Sequence, residues 1–153
     1  MKTVIAASIP LILALIGYLV SARYSESSEF WECFLTWHKK IKSEITFSQR
    51  SLPEIFDYDS DKDLFLTVAK EYLSDKVIKT KLAFLSKDET AFLIKYLERL
   101  GTTDKNSQLD FLNSMENDLE NFRKVAERKN KNVRPLFVKL GFLLGLIVFI
   151  LII

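Results

Sequence analysis

Cysteine is almost missing. Cys33 is the only one in 153 residues, so no intramolecular disulfide can form and no oxidising compartment is implied. Histidine is as scarce: His38 stands alone, five residues after Cys33 and on a different helical face. A transition-metal site would lack ligands there, and a Cys–His nucleophile pair would share no face. Cys33 reads as a small core residue. Four glycines and three prolines disfavour a turn-rich all-β fold, and no stretch alternates apolar and polar residues as a half-buried strand would. Phosphate-binding glycine loops, dinucleotide glycine patterns and serine elbows are all missing. No cofactor and no enzyme activity is expected, and any nucleotide energy must come from a partner. Repeats, low-complexity tracts and long linkers are missing too, which leaves one soluble domain. An excess of one charge is the last absence. All 20 Asp+Glu and all but Lys2 and Lys139 of the 22 Lys+Arg fall between Ser21 and Arg134. That neutral region gives no reason to expect nucleic acid, whose binding needs a concentrated basic surface.

What the chain does have is apolar sequence at both ends. Val4 to Val20 is apolar behind Lys2, with Pro10 inside it; a proline in a membrane helix can be tolerated or kink it. Two readings of this segment stand. It is a short span, or, with Val20-Ser21-Ala22 as a cleavage site, residues 1–22 are a signal peptide. The other end bears on the choice. Arg123, Lys124, Arg128, Lys129, Lys131 and Arg134 precede the apolar run Leu136 to Ile153. Cleavage would leave those six cations outside, against the positive-inside rule; two spans would put them and Arg23 in the cytoplasm with both termini outside. Two spans are therefore preferred: a transmembrane helix at 1–22, a cytoplasmic helical domain at 23–134 and a transmembrane helix at 135–153. The alternative is an extracytoplasmic helical domain anchored only at its C-terminus.

Between the ends the periodicity is helical. Ser25 to Ser28 offers a break or cap after the first span. Phe30, Phe34, Trp37, Ile41 and Ile45 then form a stripe widened by Trp31 and Leu35, read as core rather than as an exposed sticky patch. Ser51-Leu-Pro-Glu54 is a capping box, leading into a short helix through Ile55, Phe56 and Tyr58. Leu64, Phe65, Val68, Ala69 and Tyr72 predict another helix, and Val77, Ile78, Leu82 and Leu85 one more. Ser86-Lys-Asp-Glu89 is a second capping box; Leu93, Tyr96, Leu97 and Leu100 follow on one face, and Gly101 can end that helix in the left-handed conformation. Asp104 can cap the last helix, where Leu112, Met115, Leu119, Phe122 and Ala126 make a 3–4 seam. The fold class is all-α: a helical bundle flanked by N- and C-terminal transmembrane helices.

Three features invite chemistry. Asp57-x-Asp59-x-Asp61-x-Asp63 resembles the start of a calcium loop, but the EF-hand positions for glycine and glutamate hold Lys62 and Val68. An acidic loop favouring a helix dipole is the plainer reading, with a weak ion site left over. Gly141 and Gly145, four apart in the second span, would let another helix approach closely, and Ala14 with Gly17 offers a matching small surface. The basic run Arg123 to Arg134 anchors topology beside anionic lipid or docks an acidic partner. Lys139 can snorkel to the headgroups.

The order Leu85…Leu100-Gly101, Asp104, Gln108, a long polar helix, Leu140-Gly141-Phe142-x-x-Gly145 and an apolar end, with Glu44-Ile45-x-Phe47 and Leu52 upstream, resembles the stage III sporulation protein AB family of endospore-forming bacteria. The resemblance covers most of residues 40–153, and loosely the N-terminal helix too. Leu97 stands where a second glycine is common, and Arg50-Ser51 where a Thr-Pro pair is common. The resemblance implies a helical bundle like the platform proteins of type II secretion and type IV pilus machines. It also implies a non-enzymatic scaffold of the channel between mother cell and forespore, in the outer forespore membrane with its soluble domain facing the mother cell. The partners it implies are the stage III sporulation AA-type ATPase and the other channel proteins of the same operon. Membrane lipid is a further partner, and a homo-oligomer is open.

Overall fold

Neither glycine nor proline occurs between Tyr18 and Leu52, so nothing in that stretch stops a helix once it has begun. The computed structural model describes the backbone of residues 2–47, 52–57 and 63–152, and the side chains of Ser8, 10–47, 54–56 and 63–151. Its first element, α1, is a single helix over Lys2–Phe47, with Pro10 inside it. The break expected at Ser25–Ser28 is therefore absent. Hydroxyls along α1 turn back onto the helix instead of capping a new one. Ser21 donates to the Tyr18 carbonyl at 2.7 Å, and Thr36 and Thr46 donate to the carbonyls four residues earlier. Such local bonds let hydroxyl residues sit inside a helix.

The next elements are short. Helix α2 covers Leu52–Asp57 and α3 covers Leu64–Asp75. The capping box expected at Ser51 and the carboxylates Asp57, Asp59 and Asp61 lie outside the described side chains. Asp63 does stand at the N-cap of α3, but its carboxylate makes no cap bond. It accepts from the indole N–H of Trp37 at 3.1 Å instead. Helix α3 stops at Lys76, whose φ of 57° is left-handed.

The helix expected over Val77–Leu85 does not form. The Glu71 carboxylate reaches past the end of α3 and accepts from the backbone N–H of Lys79 and of Thr80, both at 2.9 Å, and from the Thr80 hydroxyl. Those bonds satisfy the segment locally, and their contribution holds the Glu71 carboxyl below its ordinary range, the Thr80 N–H being the main cause. A lysine in the left-handed region followed by two β-branched residues, Val77 and Ile78, is poor helix sequence.

Helix α4 covers Lys87–Arg99 behind a full capping box: Ser86 Oγ accepts from Glu89 N–H at 3.2 Å, and Glu89 Oε2 accepts from Ser86 N–H at 2.7 Å. Gly101 takes φ 76°, a conformation that L side chains resist. Its N–H donates to Gln108 Oε1 at 3.0 Å, and Asp104 Oδ2 accepts from Ser107 N–H at 3.2 Å. One turn thus uses Gly101, Asp104 and Gln108 together. Helix α5 follows over Lys105–Ile152, with Pro135 inside it.

The chain forms two compact units: residues 29–124, and residues 1–28 with 125–153. The core of the first is aromatic. Trp31, Phe34, Phe65 and Tyr96 are fully buried, with Leu93, Leu97, Leu112 and Leu119 around them. Trp31 stacks on Phe122 at 4.7 Å, Phe34 on Phe65 at 4.3 Å, and Tyr96 meets Phe34 edge-on at 4.8 Å. Offset and edge-on pairs of this kind add to the burial of the rings themselves. The stripe Phe30, Phe34, Trp37 and Ile41 is core, as its periodicity predicts, while Ile45 at its end is only half-buried. The fold class is all-α, and among the described residues there is no strand.

Candidate functional site

In the unit formed by residues 1–28 and 125–153, the two helical segments run antiparallel and touch backbone to backbone. Three glycines make that approach. A Cβ added to Gly17 would lie 2.6 Å from the Phe137 carbonyl oxygen, one added to Gly141 would lie 2.6 Å from the Leu13 carbonyl oxygen, and one added to Gly145 would lie 2.4 Å from Cα of Pro10. Each contact is with main chain, which cannot swing away as a side chain can. Gly141 also faces Ala14, whose Cα would be 3.4 Å from the added Cβ. The register continues toward the polar residues. Tyr24 stacks on Phe137 at 5.7 Å, and Arg134 lies over the Tyr18 ring at 5.8 Å and donates to Ser25 Oγ at 3.4 Å.

The other faces of this pair are apolar and exposed: Leu11, Leu15, Leu19 and Val20 on α1, and Leu136, Leu140, Leu143, Ile147 and Leu151 on α5. Among the described residues α5 is the one helix long and apolar enough to cross a membrane.

The six basic residues do not act as one patch. Arg123 pairs with Glu32 at 3.3 Å and Lys124 with Glu120 at 3.4 Å. Arg134 is turned to Tyr18 and Ser25. Arg128, Lys129 and Lys131 are exposed, with Lys131 also reaching Glu127 at 2.5 Å.

Neither scarce residue sits in reactive surroundings. Burial, then the neighbouring Asp63 carboxylate, pushes the Cys33 thiol up to about 11, so at neutral pH it is not the thiolate that nucleophilic chemistry needs. His38 is fully buried, with Nδ1 3.1 Å from the Tyr96 hydroxyl. Burial pushes its imidazole down to about 4, with Lys42 and Lys39 adding to the fall and Glu116 opposing it. Lys42 and Glu116 are themselves paired at 2.7 Å. Among the described residues no cluster of three or more His, Cys, Asp or Glu could hold a metal ion.

A groove of about 560 Å³ lies beside the Glu71-held segment, lined by Tyr72, Val77, Ile78, Leu82 and Ile94 with Glu98 at its rim. Sequence periodicity missed it, because it assigned Val77 to Leu85 to a helix.

A family model described as stage III sporulation protein AB matches residues 2–153. No curated protein and no solved structure matches the chain.

Proposed function

The chain belongs to the stage III sporulation protein AB family, and from that premise we propose that it is a non-enzymatic membrane scaffold of the channel between mother cell and forespore. In this reading both apolar segments are retained and span the outer forespore membrane as a hairpin. The helical domain faces the mother-cell cytoplasm and docks the AA-type secretion ATPase and other channel proteins of the operon.

The observation that supports it most is the pairing of Pro10, Leu13, Ala14 and Gly17 with Phe137, Gly141 and Gly145. Backbone contact through small residues is how helices associate where lipid removes the hydrophobic drive. A leader discarded after Ala22 would have no use for such a match, and its loss would bare both glycines. The exposed leucines around the pair suit lipid, whereas in water they would form a patch far larger than soluble proteins carry.

The test is purification from sporulating cells in mild detergent. The protein is expected to keep residues 1–22, at the 17.8 kDa of all 153 residues, and to bring the ATPase with it. A mass lacking residues 1–22 would overturn the hairpin, and clean recovery of the protein without the ATPase or any membrane partner would overturn the scaffold.

A further inference from the structure

The cations that face outward on α5 form a pattern of their own, in which Lys131 also reaches Glu127 at 2.5 Å. Arg128, Lys131 and Lys139 are all exposed, and so is Pro135 between them. At 3.6 residues per turn these positions share one side of the helix. Phe137 and Gly141, which meet α1, point away from that side. Lys139 stands within the apolar run, beside exposed Leu136, Leu140 and Leu143, where a bare ammonium is costly unless it is drawn to a headgroup. Pro135 adds a second element: it has no N–H to close on the Lys131 carbonyl, which leaves that carbonyl in want of a donor beside the lysines.

We infer that this outward stripe, Arg128, Lys131 and Lys139 around Pro135, binds the headgroup of an anionic glycerophospholipid that carries a free hydroxyl. The phosphate answers the cations, as anionic lipid does for juxtamembrane basic residues, and the hydroxyl can donate to the Lys131 carbonyl. Lys139, sited deeper than the others, pulls the headgroup down beside the helix by snorkelling. The inference rests on the membrane-hairpin reading above.

The full chain in neutral detergent, titrated with phosphatidylglycerol or phosphatidylcholine at equal mole fraction, tests it through the midpoint of thermal unfolding. Phosphatidylglycerol is expected to raise the midpoint by several degrees, and phosphatidylcholine or inorganic phosphate to leave it in place. Arg128→Gln with Lys131→Gln and Lys139→Gln should abolish the difference between the lipids. Lys79→Gln with Lys81→Gln and Lys95→Gln, an equal change of charge elsewhere, should keep it. If the triple stripe variant does not fold, Lys139→Gln alone should weaken the lipid preference and Lys139→Arg restore it. Equal shifts from both lipids, or equal loss in the two triple variants, would overturn the inference while leaving the hairpin intact. Extraction of the unaltered protein from membranes by alkaline carbonate would instead overturn the hairpin, and the lipid site with it.

Discussion

His38 is the buried titratable residue with the clearest consequence. Its ring is fully enclosed, and it keeps one polar contact, the Tyr96 hydroxyl, which burial itself holds well above the ordinary tyrosine range. The folded imidazole titrates near 4, below its usual 6.5. Between those values the unfolded chain binds a proton that the folded chain refuses, so stability rises with pH across that window and is lost as pH falls through it. The loss is on the order of 2–3 kcal/mol, a large part of a stability that is typically ~5–15 kcal/mol. His38→Gln keeps a partner for Tyr96 and cannot titrate. In urea unfolding of a soluble 24–132 fragment, which should be strongly helical, the unaltered sequence should lose stability between pH 6.5 and 4.5 far faster than His38→Gln. Parallel pH profiles would show that His38 is not the group responsible. A buried charge introduced by Leu119→Asp should unfold the fragment at any pH.

At the scale of elements, the glycines carry the more exacting constraint. Leucine at Gly141 and Gly145 adds apolar bulk, so α5 should still insert, but the added Cβ atoms would begin 2.6 Å and 2.4 Å from main chain of α1, and the two helices must part. The expected result is a membrane-bound protein whose N-terminal segment has become accessible to protease, with sporulation impaired. Unchanged protection would mean the backbones do not touch. Much of this level was legible in the sequence. The capping box at Ser86, the left-handed Gly101 and the cap at Asp104 follow from local chemistry, and local chemistry decided them. The stripes through Phe34 and Leu119 were legible because burial on one face leaves a 3.6-residue period. The segment after α3 was not, because Val77, Ile78, Leu82 and Leu85 are also spaced like a helix. What overrides the spacing is a carboxylate six residues before the start of that segment, Glu71, which reaches forward to Lys79 and Thr80. The serines at 25–28 misled in the opposite sense, since a hydroxyl caps a helix or rides on one with equal ease. Gly141 and Gly145 were legible as a small-residue pair, but Pro10 as the surface opposite Gly145 was not. A proline inside a helix looks like a disruption until its partner is known.

At the scale of the molecule, the proposed sidedness rests on where the cations are. Apart from Lys2 and Lys139, every basic residue lies between the two apolar segments, and the contacts Arg134–Ser25 and Arg134–Tyr18 bring Arg23 and the run Arg128 to Arg134 to the same end of the helix pair. Cytoplasmic retention of such residues sets the orientation of helices during insertion. On that rule the proposed hairpin puts the domain between the segments inside and the far end of each segment outside. A cysteine at exposed Lys129, with Cys33 replaced, should therefore resist an impermeant thiol reagent in intact cells and react once the membrane is opened. A cysteine appended at either end should do the reverse. Those two results are linked by the hairpin. If Lys129→Cys were labelled in intact cells while the C-terminal cysteine was protected, the single-anchor arrangement with a cleaved leader would be the correct one, the N-terminal cysteine would be missing from the mature chain, and the glycine contacts would have no partner to serve. Protection of Lys129→Cys together with labelling of both ends leaves no route for the chain except twice across the bilayer.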